Sequence, residues 1–162
     1  SLEEYCRAKL RAYGLTDPEL LETGTRLMLE DSADIALFPG TSEALHELHA
    51  IGFKLAIVTD SAKTADVKLA WLEQRGIGRE LWTAVISSHD AGVCKPAAEI
   101  YEEALERMGI TTEHAAFVGH ATDELEGAAE IGMATVAFRP DDPDVEADVY
   151  VDDLRDLLDL LE

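Results

Sequence analysis

The sequence predicts an α/β protein with a parallel sheet, and three observations carry that reading. A nearly continuous apolar run, Phe53 to Thr59, has the character of a strand buried on both faces. Downstream of it, short apolar runs alternate with stretches of helical period. Upstream lie only helical patterns, so the strands begin late in the chain.

Taken in order, Leu2 to Tyr13 places Tyr5, Leu10 and Tyr13 at roughly helical spacing, and Gly14 ends the run. Asp17 before Pro18 is an N-cap followed by a first-turn proline, opening a helix through Leu20, Leu21, Leu27 and Met28. Phe38-Pro39-Gly40 breaks it. Thr41 or Ser42 is expected to cap a third helix, with Leu45, Leu48 and His49 in period, ending near Gly52.

After the strand at 53–59, a helix is expected over about 64–75, a strand at 84–87 and a helix at about 97–108. A strand at 115–118, a helix at 124–131, a strand at 134–138, a short strand near Val149 and a helix at 154–161 follow. Right-handed strand-helix crossovers then make a three-layer α/β/α arrangement. The domain reading is a small helical cap over 1–36 and an α/β core over 37–162.

Composition narrows the function. The chain has 162 residues, 47% of them apolar, enough for one working core. Against 34 acids stand 13 Lys plus Arg, a net charge of −21. Such a surface disfavours nucleic acid and anionic membranes, and suits either a salt-rich cytoplasm or an ordinary acidic protein. Cys6 and Cys94 form no CxxC pair or disulfide framework, and no apolar run nears the roughly 20 residues of a membrane span. A soluble protein of the reducing cytoplasm is expected. The chain opens on Ser1 and not Met, which leaves processing open.

In parallel sheets ligands sit at the carboxyl ends of the strands. Those ends carry Thr59-Asp60-Ser61, Ser87-Ser88-His89-Asp90 and Gly119-His120, with Lys95-Pro96 in the loop after the second strand. Hydroxyls, an ammonium and acids together suit a phosphate and a metal ion.

Three segments resemble motifs of the haloacid dehalogenase superfamily. LAIVTDSAK is similar to its second motif, GVCKPAAEIYEEALERMG to its third and FVGHATDELEGAAEIGMATVAF to its fourth. The resemblance spans about residues 37–162. It implies a Rossmann-like core, a phosphate site of Thr59, Asp60, Ser61 and Lys95, with Lys95 and Thr59 catalytic. It also implies a metal site of Asp123, Glu124 and His120 for Mg²⁺, or Mn²⁺ given the imidazole where the family has Asp. The implied activity is hydrolysis of a small phosphorylated metabolite through an aspartyl-phosphate.

The family's first motif, an apolar strand ending in Asp-x-Asp-x-Thr, does not occur among these residues; its expected place is just upstream of Ser1. Asp60-Ser61-Ala62-Lys63-Thr64 imitates it but has Ala62 where the acid/base Asp belongs. In the family that strand lies between those ending at Thr59 and Gly119. Without it two hydrogen-bonding edges are exposed, at a cost of about 1–3 kcal/mol for each buried unpaired group. An upstream segment, a strand exchanged within a homodimer or direct pairing of the edges is expected to fill the gap. The chain alone is expected to be inactive. The rival readings are a phosphate- or partner-binding pseudoenzyme and, more weakly, a dehalogenase.

Simpler roles compete at each position. Lys95 is otherwise a solvated helix-start lysine, Thr59 a strand-end hydroxyl bonded to backbone, and Asp123 and Glu124 helix-start acids. His89 and His120 are read as structural or exposed, Cys94 as a small buried thiol, and the acids from Asp141 to Asp159 as a solvated face.

Overall fold

The computed structural model describes residues 2–30 and 36–160. Residues 1–35 and 36–162 form separate compact units. In the first, α1 (Leu2–Ala12) and α2 (Pro18–Glu30) make a helical hairpin. Asp17 caps α2 as the sequence predicts: its Oδ1 accepts from the Glu19 and Leu20 amides at 3.0 and 2.9 Å.

The second unit runs α3 (Thr41–Ala50), β1 (Leu55–Thr59), α4 (Ala65–Glu73), β2 (Trp82–Ser87), α5 (Ser88–Ala91), α6 (Ala98–Met108), β3 (Ala116–Gly119), α7 (Thr122–Glu130), β4 (Ala134–Phe138), β5 (Val149–Val151) and α8 (Asp156–Asp159). The α-carbon trace alternates as the periods predict, with three differences. Gly40, and not Thr41 or Ser42, caps α3: its φ is +80°, and a Cβ there would stand 2.6 Å from Arg155 Nε. Phe53 lies between α3 and the strand, its amide closing the end of α3 by donating to Leu48 O at 3.0 Å, and the strand starts at Leu55. The last helix is one turn, 156–159; Leu161, in the expected helix, lies outside the described residues.

Parallel pairing holds throughout, but in two sheets. β1 pairs with β2, and β3 with β4, which pairs with β5. Among the described residues β1 and β3 are not paired with each other, and each keeps a free edge. The expected direct pairing of the two edges is therefore not what fills the gap here. Burial registers the consequence: β1, expected to be buried on both faces, is only half-buried along its whole length, whereas β2 is buried from Ala84 to Ser87.

Packing ties the two sheets together through α6. Ile100, Tyr101, Ala104, Leu105 and Met108 form one core with Ala84 and Ile86 of β2, Phe117 of β3, Leu125 and Ala128 of α7 and Ala137 of β4. Lys54, just before β1, donates to Met108 O at 2.6 Å and so satisfies a carbonyl at the end of α6.

Asp148 satisfies donors of β4 instead, accepting from Thr135 N at 2.8 Å and Thr135 Oγ1 at 3.0 Å. The bond from the Thr135 backbone, then that from its hydroxyl, holds the Asp148 carboxyl below its ordinary pKa. A depressed carboxylate stabilises the fold fully above its ordinary pKa, and that contribution is lost as pH falls through the lower folded value. Asp148→Ala should therefore lower the melting temperature at pH 7 and flatten its fall in acid. Thermal unfolding between pH 2.5 and 7 checks this; parallel curves for the two proteins would contradict it.

Candidate phosphate site at the strand ends

Thr59 ends β1 directly opposite Ser87 of β2. The loop beyond it is held by buried hydroxyls. Ser88 Oγ accepts from the Ser61 amide at 2.9 Å, Ser61 Oγ accepts from the Lys63 amide at 3.0 Å, and Ser87 Oγ donates to Lys63 O. Asp90 Oδ2 accepts from the first amide of α4, that of Ala65, at 2.7 Å. The polar run Ser87-Ser88-His89-Asp90 is thus scaffolding for the loop after β1, apart from His89, which is exposed.

Lys95 is fixed at both ends. Its amide donates to Asp60 Oδ1 at 3.0 Å, so Asp60 acts as an acceptor tying the end of β1 to the Lys95-Pro96 turn. Its ammonium lies 3.0 Å from Glu124 Oε2 and 5.8 Å from the centre of the Phe117 ring. The two charged side chains are only 10% and 12% exposed. Little water screens such a pair, and losing either partner would strand a buried charge. An ammonium has three donors; Glu124 takes one of them.

Sequence reasoning assigned no role to Tyr101, which completes the site wall. Its hydroxyl donates to Glu124 O at 2.8 Å, and its ring meets Phe117 edge-on, centroids 5.2 Å apart. Burial, then the charges of Glu124, Asp60 and Asp123, raises its pKa far above the ordinary phenol range, so it remains a neutral donor. The signal was present: Tyr101 lies six residues beyond Lys95, on the apolar face of α6.

Gly127 lets α7 approach. A Cβ there would sit 2.6 Å from Pro96 O and 2.7 Å from Pro96 Cβ, contacts that backbone cannot yield cheaply. The glycine of the fourth motif is thus what allows Glu124, one turn earlier, to reach Lys95.

The predicted residues divide accordingly. Asp60, Lys95 and Glu124 form one chain of contacts, and Thr59 and Ser61 lie at the same strand ends. His120 does not join them. It is exposed, with Nε2 3.9 Å from Asp141 Oδ2. Asp123 Oδ1 accepts from the Glu124 amide at 2.9 Å. Among the described residues no three His, Cys, Asp or Glu side chains gather where a metal ion would be held, so His120, Asp123 and Glu124 do not by themselves fit one. Cys6 and Cys94 form no disulfide, and no helix of the described residues is long and apolar enough to cross a membrane.

This is a parallel α/β protein whose hydroxyls, lysine and acids converge at the carboxyl ends of its strands. The chain belongs to the haloacid dehalogenase-like hydrolases, whose family model matches residues 8–132. It is 29% identical over 158 residues to the glyceraldehyde 3-phosphate phosphatase of Methanocaldococcus jannaschii, covering 91% of this chain and 67% of that protein. It is also 29% identical over 127 residues to the (S)-2-haloacid dehalogenase 4A of Burkholderia cepacia, covering 78% and 52% respectively. The crystal structure of a HAD phosphatase from Thermococcus onnurineus superposes with a TM-score of 0.69 at 22% identity, over 99% of this chain and 87% of that one. The chain therefore spans about half to two thirds of the length of these curated relatives.

Gly127→Ala should cost about 1–3 kcal/mol, the usual penalty of overpacking a tight contact, measured by urea unfolding. Tyr101→Phe should cost about 0.5–1.5 kcal/mol for one hydrogen bond. A Gly127→Ala protein as stable as the parent would refute the close approach at Pro96.

Proposed function

We propose that this chain is the phosphate-holding part of a phosphatase for a small phosphorylated metabolite. The observation that carries the reading is the Lys95 ammonium, held at the strand ends by a buried carboxylate and by the Asp60 tie on its own backbone. Such a cation is pre-positioned, so it stabilises phosphoryl oxygens with little reorganisation. The resemblance to a glyceraldehyde 3-phosphate phosphatase supports the same class of substrate.

On this reading the first Asp of an upstream Asp-x-Asp-x-Thr strand attacks phosphorus as the substrate's P–O bond breaks, the second Asp protonates the departing alcohol, and water then hydrolyses the aspartyl-phosphate to inorganic phosphate and the free carboxylate. Thr59 Oγ and the spare donors of Lys95 hold the phosphoryl oxygens through the change in charge. Glu124 holds the Lys95 ammonium in place, 3.0 Å away, and Tyr101 holds the Glu124 backbone. A divalent cation, Mg²⁺ or alternatively Mn²⁺, is part of the proposal, but Asp123 and Glu124 fall short of a full ligand set. A protein that binds phosphate without turnover is the second reading, favoured by the capture of Lys95 by Glu124. Dehalogenation is a weaker third, which the likeness to the Burkholderia enzyme keeps open.

Joining an apolar strand ending in Asp-x-Asp-x-Thr ahead of Ser1 should give metal-dependent release of phosphate from p-nitrophenyl phosphate or glyceraldehyde 3-phosphate. Lys95→Ala in that protein should lower kcat/KM by about 10²–10³, the usual effect of removing one transition-state donor. Background activity with both Mg²⁺ and Mn²⁺ would refute the proposal, and phosphate binding without turnover would favour the second reading.

A further inference from the structure

The strand ends that would hold a phosphoryl group are themselves acidic. In the five residues beyond each of β1, β2, β3 and β4 stand six carboxylates: Asp60, Asp90, Asp123, Glu124, Asp141 and Asp142. The cations of the same stretches are Lys63 and Arg139, and Lys95 adds a third, so the balance is −3 with the imidazoles neutral. Lys95 is engaged with Glu124 at 3.0 Å, and the Arg139 guanidinium lies over the Phe38 ring at 4.8 Å. Asp90, Asp123, Asp141 and Asp142 are exposed, on a chain whose net charge is −21. The field reaches the interior of the site: after burial, the charges of Glu124, Asp60 and Asp123 are what raise the Tyr101 pKa.

We infer that this rim makes the site select phosphate monoesters whose organic part is uncharged, a hydroxyl or carbonyl compound, over those carrying a carboxylate or a second phosphate. The inference deepens the phosphatase reading and rests on its placing of the phosphoryl group at Lys95. Lys95 is only 10% exposed and compensates the anion it touches, so a second negative group on the substrate meets the rim without a matching charge. An upstream Asp pair and one divalent cation would cancel each other and leave the balance as it stands. One added charge ~10 Å from three net negative charges is disfavoured about three- to tenfold in dilute salt. In 0.5 M salt, where the Debye length is ~4 Å, the same charge is disfavoured by less than about twofold. A pocket that excluded the second group by shape would discriminate equally at both salt concentrations.

The test uses the 162-residue chain and two esters of one carbon skeleton, glycerol 3-phosphate and 3-phosphoglycerate, which differ by one carboxylate. Titrations followed by the ¹⁵N amide shift of Lys95 should show glycerol 3-phosphate binding about three- to tenfold tighter in 20 mM KCl, with the ratio falling below about twofold in 0.5 M KCl. Asp141→Lys combined with Asp142→Asn, which keeps an acceptor for the Asp144 amide, should bring the ratio in 20 mM KCl near one. Equal affinities in 20 mM KCl, a ratio that salt leaves unchanged, a full ratio in the double variant, or binding of neither ester would each overturn the inference. The protein joined to its upstream strand separates this inference from the reading beneath it. Preference in binding with no phosphate released from p-nitrophenyl phosphate or either ester would sink the phosphatase reading and leave the selectivity intact. Turnover of both esters with equal kcat/KM in 20 mM KCl would do the reverse.

Discussion

Backbone pairing is the constraint on which the rest of this structure depends. An inner strand of a parallel sheet needs a partner on each side, because its amides and carbonyls are otherwise buried without hydrogen bonds. Among the described residues β1 and β3 each have one partner, so the sheet divides in two and its most apolar strand is left half-buried. What would otherwise be a single layer is held across the division by α6, which packs on β1 and β2 and meets β3 and α7 through Tyr101.

The same division shapes the site. Lys95 and Glu124 come from opposite sides of it, on the turn before α6 and on α7, and they meet as an ion pair largely shielded from water. In a protein with a net charge of −21, a cation this enclosed is conspicuous. Ion pairs such as Arg79 with Asp66 and Glu73 or Arg155 with Asp153 lie instead on the surface. Exposed pairs of that kind add little to stability. The arrangement therefore places a strong, enclosed electrostatic contact at the strand ends, where an anionic ligand would be held.

Much of the fold was legible because the periods are clear. The apolar run before Thr59, the helix opened by Lys95-Pro96 and the Asp17 cap all follow from local chemistry. Boundaries failed where local chemistry was ambiguous. Phe53 looks like strand, yet its amide closes α3, and Thr41 looks like a cap, yet Gly40 holds that place at a φ of +80°, which side chains rarely adopt. The site was legible in membership and less so in wiring. Lys95, Thr59 and Glu124 were identified by motif, but spacing gives no reason for Glu124 to pair with Lys95, nor for Asp60 to hold its amide. Such contacts depend on how far α7 approaches the Lys95-Pro96 turn, which Gly127 decides. His120 stood at a metal position by alignment alone, and its side chain turns to Asp141 instead.

The most direct test of the divided sheet is amide hydrogen exchange on the free chain, resolved residue by residue at a concentration where it is monomeric. Successive residues of a strand point their amides to opposite edges. Every second amide of β1 and β3 should therefore exchange quickly, while the alternate ones, and those of β2 facing β1, stay protected. Uniform protection along both β1 and β3 would mean that the two edges are already paired, and would contradict the divided sheet.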